Sequence, residues 1–124
     1  MHIAGLYAVW FCATMPTDPA RLQAAHRILL KASVRNDIFK SKLMREPAWT
    51  MMLHLFVARF EGRTMTEAHL IKLSGASPRD GQLWLYRLAK DGQVMPRVAG
   101  DEVHLTEAAT ARLSEYLDFA ALPA

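Results

Sequence analysis

The sequence predicts a mainly α-helical domain that carries one short two-stranded β-hairpin. Three observations lead there. Helix-start signals recur at Asp18-Pro19, Glu46-Pro47, Thr66, Ser77-Pro78 and Thr106, where a polar side chain meets free backbone amides and Pro suits the first turn. Behind these signals, apolar residues recur at the three- and four-residue steps that line one face of a helix. Further on, two extended runs flank Gly100-Asp101 as hairpin arms flank a turn.

The 124 residues suit a single domain. With 52% apolar residues and a formal net charge of only +3, the chain can bury a core, which excludes disorder as its main state. The longest uncharged stretch, Ile3 to Thr17, falls short of the roughly 20 residues of a membrane-spanning helix. Neither Lys nor Arg precedes it, so no secretory signal is expected. One cysteine, Cys12, excludes an internal disulfide and a Cys-based zinc finger within one chain, and a cytoplasmic location is expected.

Residues 1–17 form an apolar arm ahead of a domain of residues 18–124. The first helix is expected from Pro19 to Phe39, capped by Asp18, with Leu22, His26, Leu29 and Ser33 on its inner stripe and Ala25 and Ala32 beside it. Its opposite side carries most of a basic run, Arg21, Arg27, Lys31 and Arg35, which continues through Lys40, Lys42 and Arg45. Glu46-Pro47 opens the second helix, where Trp49, Met52, Leu53, Phe56, Val57 and Phe60 make a wide apolar face ended by Gly62, the central core helix. Thr66 caps a short third helix, Glu67 to Ser74, with Leu70, Ile71 and Leu73 apolar. Gly75-Ala76 turns the chain into a fourth helix, capped by Ser77 and stopped after Lys90 by Gly92. Gly81 inside that helix costs about 1 kcal/mol relative to Ala on propensity alone.

Two helices joined by a short Gly-containing turn make a helix-turn-helix, residues 66–90. The runs Val94 to Val98 and Glu102 to Leu105 read as a hairpin over residues 94–105, with Pro96 placing its strand at an edge. Thr106 then caps a last helix, residues 107–120, with Ala109, Leu113, Tyr116, Leu117 and Ala120 as its stripe. Together these elements predict a winged helix-turn-helix with a short two-stranded wing and flanking N- and C-terminal helices.

Glu46-Pro47-Ala48-Trp49, the block Leu70 to Gly75, the run Trp84 to Val94 and Val103-His104-Leu105-Thr106 resemble a MarR-type winged-helix transcription regulator across residues 27–119. The resemblance implies a homodimer packed through its terminal helices that binds a near-palindromic duplex site. The apolar arm, with Tyr7, Trp10 and Phe11, is expected to pack in a two-fold interface along with the last helix, or else to fold back over the first helix. Two features depart from the pattern. The hairpin is short, with acids at Gly100-Asp101-Glu102 and only Arg97 nearby, and Leu83 stands where a basic or polar residue is expected. An acidic tip is repelled by the phosphate charge of DNA.

For double-stranded DNA as partner, the expected contacts are Arg79 to guanine and Gln82 to adenine from the start of the fourth helix. Tyr86 and Arg87 would reach phosphates, supported by Lys90, Lys72, Thr66, Ser77 and, in the wing, Arg97. Each has a plainer explanation. Thr66 and Ser77 serve as caps, the cations as solvated charges, and Tyr86 as packing against the wing. The competing reading is a module that binds protein and has lost sequence-specific DNA binding. The basic front and acidic tail (Asp101, Glu102, Glu107, Glu115, Asp118) fit either an anionic partner or two solvated surfaces that pair with each other.

An enzyme is not expected. No His pair is spaced i, i+4, no P-loop follows Gly75 or Gly81, and Cys12 lies in an apolar run. No cofactor and no metal are expected, a small-molecule effector is left open, and His26 and His54 are expected to be satisfied core histidines.

Overall fold

The computed structural model describes residues 18–39, 46–96 and 101–122. The apolar arm, Cys12, the basic residues Lys40, Lys42 and Arg45, and Arg97 with Gly100 of the expected hairpin turn lie outside them. Among the described residues there are five helices: α1 (Asp18–Ile38), α2 (Pro47–Phe60), α3 (Glu67–Ser74), α4 (Pro78–Lys90) and α5 (Glu107–Ala120). None is long and apolar enough to cross a membrane.

α2 is the axis of the core and packs against all four other helices. That position explains its composition: Met51, Leu53, Leu55, Phe56, Val57 and Ala58 are buried, more than one face of a surface helix would require. Phe56 is fully buried and stacks at a tilt on Phe60, ring centroids 4.6 Å apart. Burying such a ring contributes roughly 1.5–3 kcal/mol. Gly62, at φ 71°, closes the helix in the left-handed conformation.

α1 keeps Leu22, Ala25 and Leu29 of the expected inner set facing the core, with Ala24 and Ile28 in place of His26 and Ser33. Ala24 and Ala25 are buried, with Leu22, Ile28 and Leu29 packed beside them, whereas His26 and Ser33 face outward. Small side chains let two helix backbones approach, and the alanines set the contact line. His26 is exposed and pairs with Glu61 at 3.0 Å, which corrects its expected place in the core. Asp18 lies in the first turn of α1 and not ahead of it as a cap. The outer face, expected to be mainly basic, also exposes Leu30, Val34 and Ile38.

Three caps form as the spacing predicts. The hydroxyls of Thr66, Ser77 and Thr106 accept from the backbone amides of His69, Asp80 and Ala109 at 3.2, 3.1 and 3.0 Å. Glu46, by contrast, makes no side-chain cap to α2.

The two-stranded wing is not seen, which corrects the expected fold class. Among the described residues there is no strand, only two antiparallel bridges, Val94 to Leu105 and Thr66 to Glu102. The physical reason is a divided set of backbone bonds. Met95 N–H donates to His104 C=O at 2.8 Å and Thr106 N–H to Gln93 C=O at 3.0 Å. On the other side, Val103 N–H donates to Met65 C=O at 2.9 Å and Glu67 N–H to Asp101 C=O at 2.7 Å. The segment 101–105 is thus shared between two neighbours, one bridge each. Met65, Val94, Val103 and Leu105 are buried and hold the junction against α2.

α5 buries Ala109, Thr110, Leu113 and Leu117. Tyr116, expected in that stripe, is exposed, with its ring edge-on to Trp49 at 5.3 Å. A two-pronged ion pair ties α5 to α1: Arg21 Nε to Asp118 Oδ1 at 2.6 Å and Arg21 Nη2 to Oδ2 at 3.1 Å.

Candidate nucleic-acid interface

α3 and α4 are joined by Gly75, Ala76 and Ser77, with Gly75 left-handed at φ 79°. They cross so closely that Ile71 of α3 rests on the backbone of Gly81 in α4. A Cβ at Gly81 would stand 2.6 Å from Ile71 Cγ1 and nearer still to Cγ2, so only glycine fits. The propensity cost expected at this position therefore has a packing cause.

α4 has two distinct faces. Gly81, Leu85 and Leu88 are buried, and Trp84 is partly so. The other face exposes Arg79, Gln82, Leu83, Tyr86, Arg87 and Lys90, which fall at steps of three and four residues. The helix brings together every residue expected on it. Lys72, on α3, is exposed too. Thr66 and Ser77 have their hydroxyl acceptors engaged by their caps.

Local contacts restrain several of these side chains. The Arg87 guanidinium lies 5.4 Å from the centre of the Trp84 ring, and the Lys90 ammonium 5.7 Å from that of Tyr86. Tyr86 is 60% exposed. Gln82 Nε2 donates to Glu67, which occupies part of the amide expected to read adenine. Sequence reasoning missed that contact because it depends on how α3 and α4 cross.

The cations of α4 differ from three arginines elsewhere in the chain. Arg21, Arg59 and Arg63 are held by Asp118, Glu107 and Glu61. Arg79, Arg87 and Lys90 make no ion pair among the described residues.

On the far side of α3, half-buried His54 is pushed below the ordinary imidazole range, chiefly by burial and further by the positive charge of His69, Arg63 and His26. Glu61 is held below the usual carboxylate range by hydrogen bonds from His26 and Arg63. Among the described residues, no group of three or more His, Cys, Asp or Glu is placed to hold a metal ion. No family model, curated protein or solved structure matches this chain.

Proposed function

We propose that the protein is a DNA-binding transcription regulator that seats α4 in the major groove. One observation carries the reading: the exposed face of α4 bears three cations that no carboxylate of the described chain neutralises, while Arg21 of α1 and Arg59 of α2 are each paired internally. A helix of 13 residues is about 20 Å long and fits a groove about 12 Å wide. Arg79, at its N-terminal end, is placed to meet a base edge, with Arg87, Lys90, Tyr86 and Lys72 toward phosphates. The resemblance to MarR-type regulators agrees with this assignment. Regulation then works by occlusion or recruitment at a promoter, with no bond chemistry.

The functional unit is a homodimer. The outer face of α1 exposes Leu30, Val34 and Ile38 alongside Arg27 and Lys31, and the end of α5 exposes Phe119 and Leu122 near Glu115. A second copy related by a two-fold axis would lay the basic apolar ridge of one α1 on the acidic apolar end of the other α5.

A second reading rests on Leu83 and Tyr86, both exposed on the α4 face, with Asp80 at its edge: this face binds a protein. Selection of bound duplexes from a random pool separates the two. Enrichment of a two-fold symmetric site, lost as salt rises, supports the regulator. Failure to enrich any duplex, with no retention on heparin at about 50 mM salt, replaces it with the protein-binding module.

A further inference from the structure

The close crossing of α3 and α4 also joins two polar side chains. Glu67 and Ile71 stand four residues apart, on one face of α3. Ile71 rests on Gly81, and the Glu67 carboxylate accepts a hydrogen bond from Nε2 of the next residue, Gln82. Glu67 is held in its own right: its backbone N–H donates to Asp101 C=O at 2.7 Å, just inside the Thr66 cap of α3. Its side chain is half-buried, whereas Gln82 is exposed, at the α3 edge of the face that carries Arg79 and Tyr86.

The chemistry of this pair decides which way the Gln82 amide points. An ionised carboxylate only accepts, so it faces the nitrogen of an amide and not the oxygen. Oε1 of Gln82 is thereby turned away from Glu67, and it accepts no hydrogen bond among the described residues. A glutamine without such a neighbour can turn over and meet a donor or an acceptor alike. Here the group offered outward is an acceptor, with a negative charge behind it. In the major groove, adenine N6 and cytosine N4 present amine hydrogens where thymine O4 and guanine O6 present oxygens. An amine satisfies Oε1. A keto oxygen instead sets one acceptor against another, with the Glu67 charge adding to the repulsion.

We propose that Glu67 is a positioning residue for base selection: by holding Nε2 of Gln82 it makes α4 select a base with an exocyclic amine, adenine or cytosine, over guanine or thymine at one position of the duplex. The inference rests on the proposed function, with α4 seated in the major groove, and gives α3 a part in selectivity. Glu67 also sets its own charge against the phosphates. It therefore weakens binding to every duplex while sharpening the choice at one position.

The test takes the tightest duplex from the random-pool selection and replaces each base pair in turn, for the wild type, Gln82→Ala and Glu67→Gln. Gln82→Ala marks the position, as the one where a preference disappears. There the wild type should bind adenine and cytosine about tenfold more tightly than guanine and thymine. Glu67→Gln keeps the size of the side chain but can hold the amide either way round, so the ratio should fall to about twofold or less. Preferences at other positions should persist, and affinity for unrelated duplex should stay level or rise. A merely structural role would weaken every duplex alike. In the chain without DNA, NMR should show the Gln82 side-chain amide resonances moving in Glu67→Gln. The inference is overturned by a retained ratio in Glu67→Gln, by a wild-type preference for guanine or thymine at that position, or by unmoved Gln82 resonances, and each of these leaves the regulator standing. A wild type that binds no duplex overturns the regulator and this inference with it.

Discussion

Ile71 of α3 lies directly on Gly81 of α4, with no room between them for one methyl group. This packing sets how closely the two helices of the candidate interface approach, and it inverts the ordinary expectation for glycine in a helix. By propensity alone Gly81→Ala should stabilise by about 1 kcal/mol. In this arrangement the added Cβ forces Ile71 or the helix to move, at a cost of about 1–3 kcal/mol. Urea unfolding should show Gly81→Ala lowering the midpoint. Ile71→Ala in the same chain should recover part of that stability, because the two substitutions act on one contact. Strictly additive effects would show that the crowding at Ile71 is not the cause.

The same face predicts a salt signature. Arg79→Ala with Arg87→Ala should weaken duplex binding and flatten the plot of log K against log salt by about 1, for the phosphate that Arg87 no longer neutralises, with the loss at Arg79 falling on base discrimination. His104→Ala, on the segment beside Val103, should leave both affinity and slope unchanged. An unchanged slope in the double variant would remove α4 from the duplex.

Dimerisation is tested separately through α1. Leu30 and Ile38 are 65% and 68% exposed, and with Val34 they form an apolar ridge that a second copy would cover. Light scattering at about 10 μM should return twice the chain mass, a concentration at which a functional dimer is populated. Val34→Asp places a carboxylate in the ridge and should return one chain mass with the helical circular dichroism retained. A monomeric wild-type chain would sink the two-fold arrangement.

What is legible in the sequence is what the chain determines locally. Thr66, Ser77 and Thr106 cap helices because each hydroxyl reaches an amide three residues on. Gly75 and Gly92 take left-handed conformations, both at φ 79°, because a chain leaving a helix needs one. Expectation and structure part where the partner is distant. Spacing pairs Glu102 to Leu105 with Val94 to Val98, the adjacent run. Two backbone hydrogen bonds of the segment from Asp101 go instead to Met65 and Glu67, on either side of the α3 cap, and among the described residues neither side grows into a strand. Spacing carries the expected inner stripe of α1 from Leu22 through His26 to Leu29 and Ser33, whereas the buried line is set by Ala24 and Ala25, whose small side chains permit the close approach. On α4 the exposed residues follow from periodicity, but the engagement of Gln82 by Glu67 does not.

His54 makes stability depend on pH. Its folded value is lowered from 6.5, so between the two values the unfolded chain takes up a proton that the folded chain resists. Stability therefore rises with pH through this window and falls as pH drops below about 6.5. The ring is only half-buried, which limits the effect to under about 1 kcal/mol. Glu61, whose folded value is depressed, acts at lower pH: its stabilisation is present above its ordinary value of 4.5 and is lost as pH falls through the depressed one. The two effects occupy separate windows. Urea midpoints measured from pH 7.5 down to about 5.5 should decline for the wild type and stay flatter for His54→Gln, with Glu61 charged throughout. An identical decline in both proteins would assign the dependence to another group.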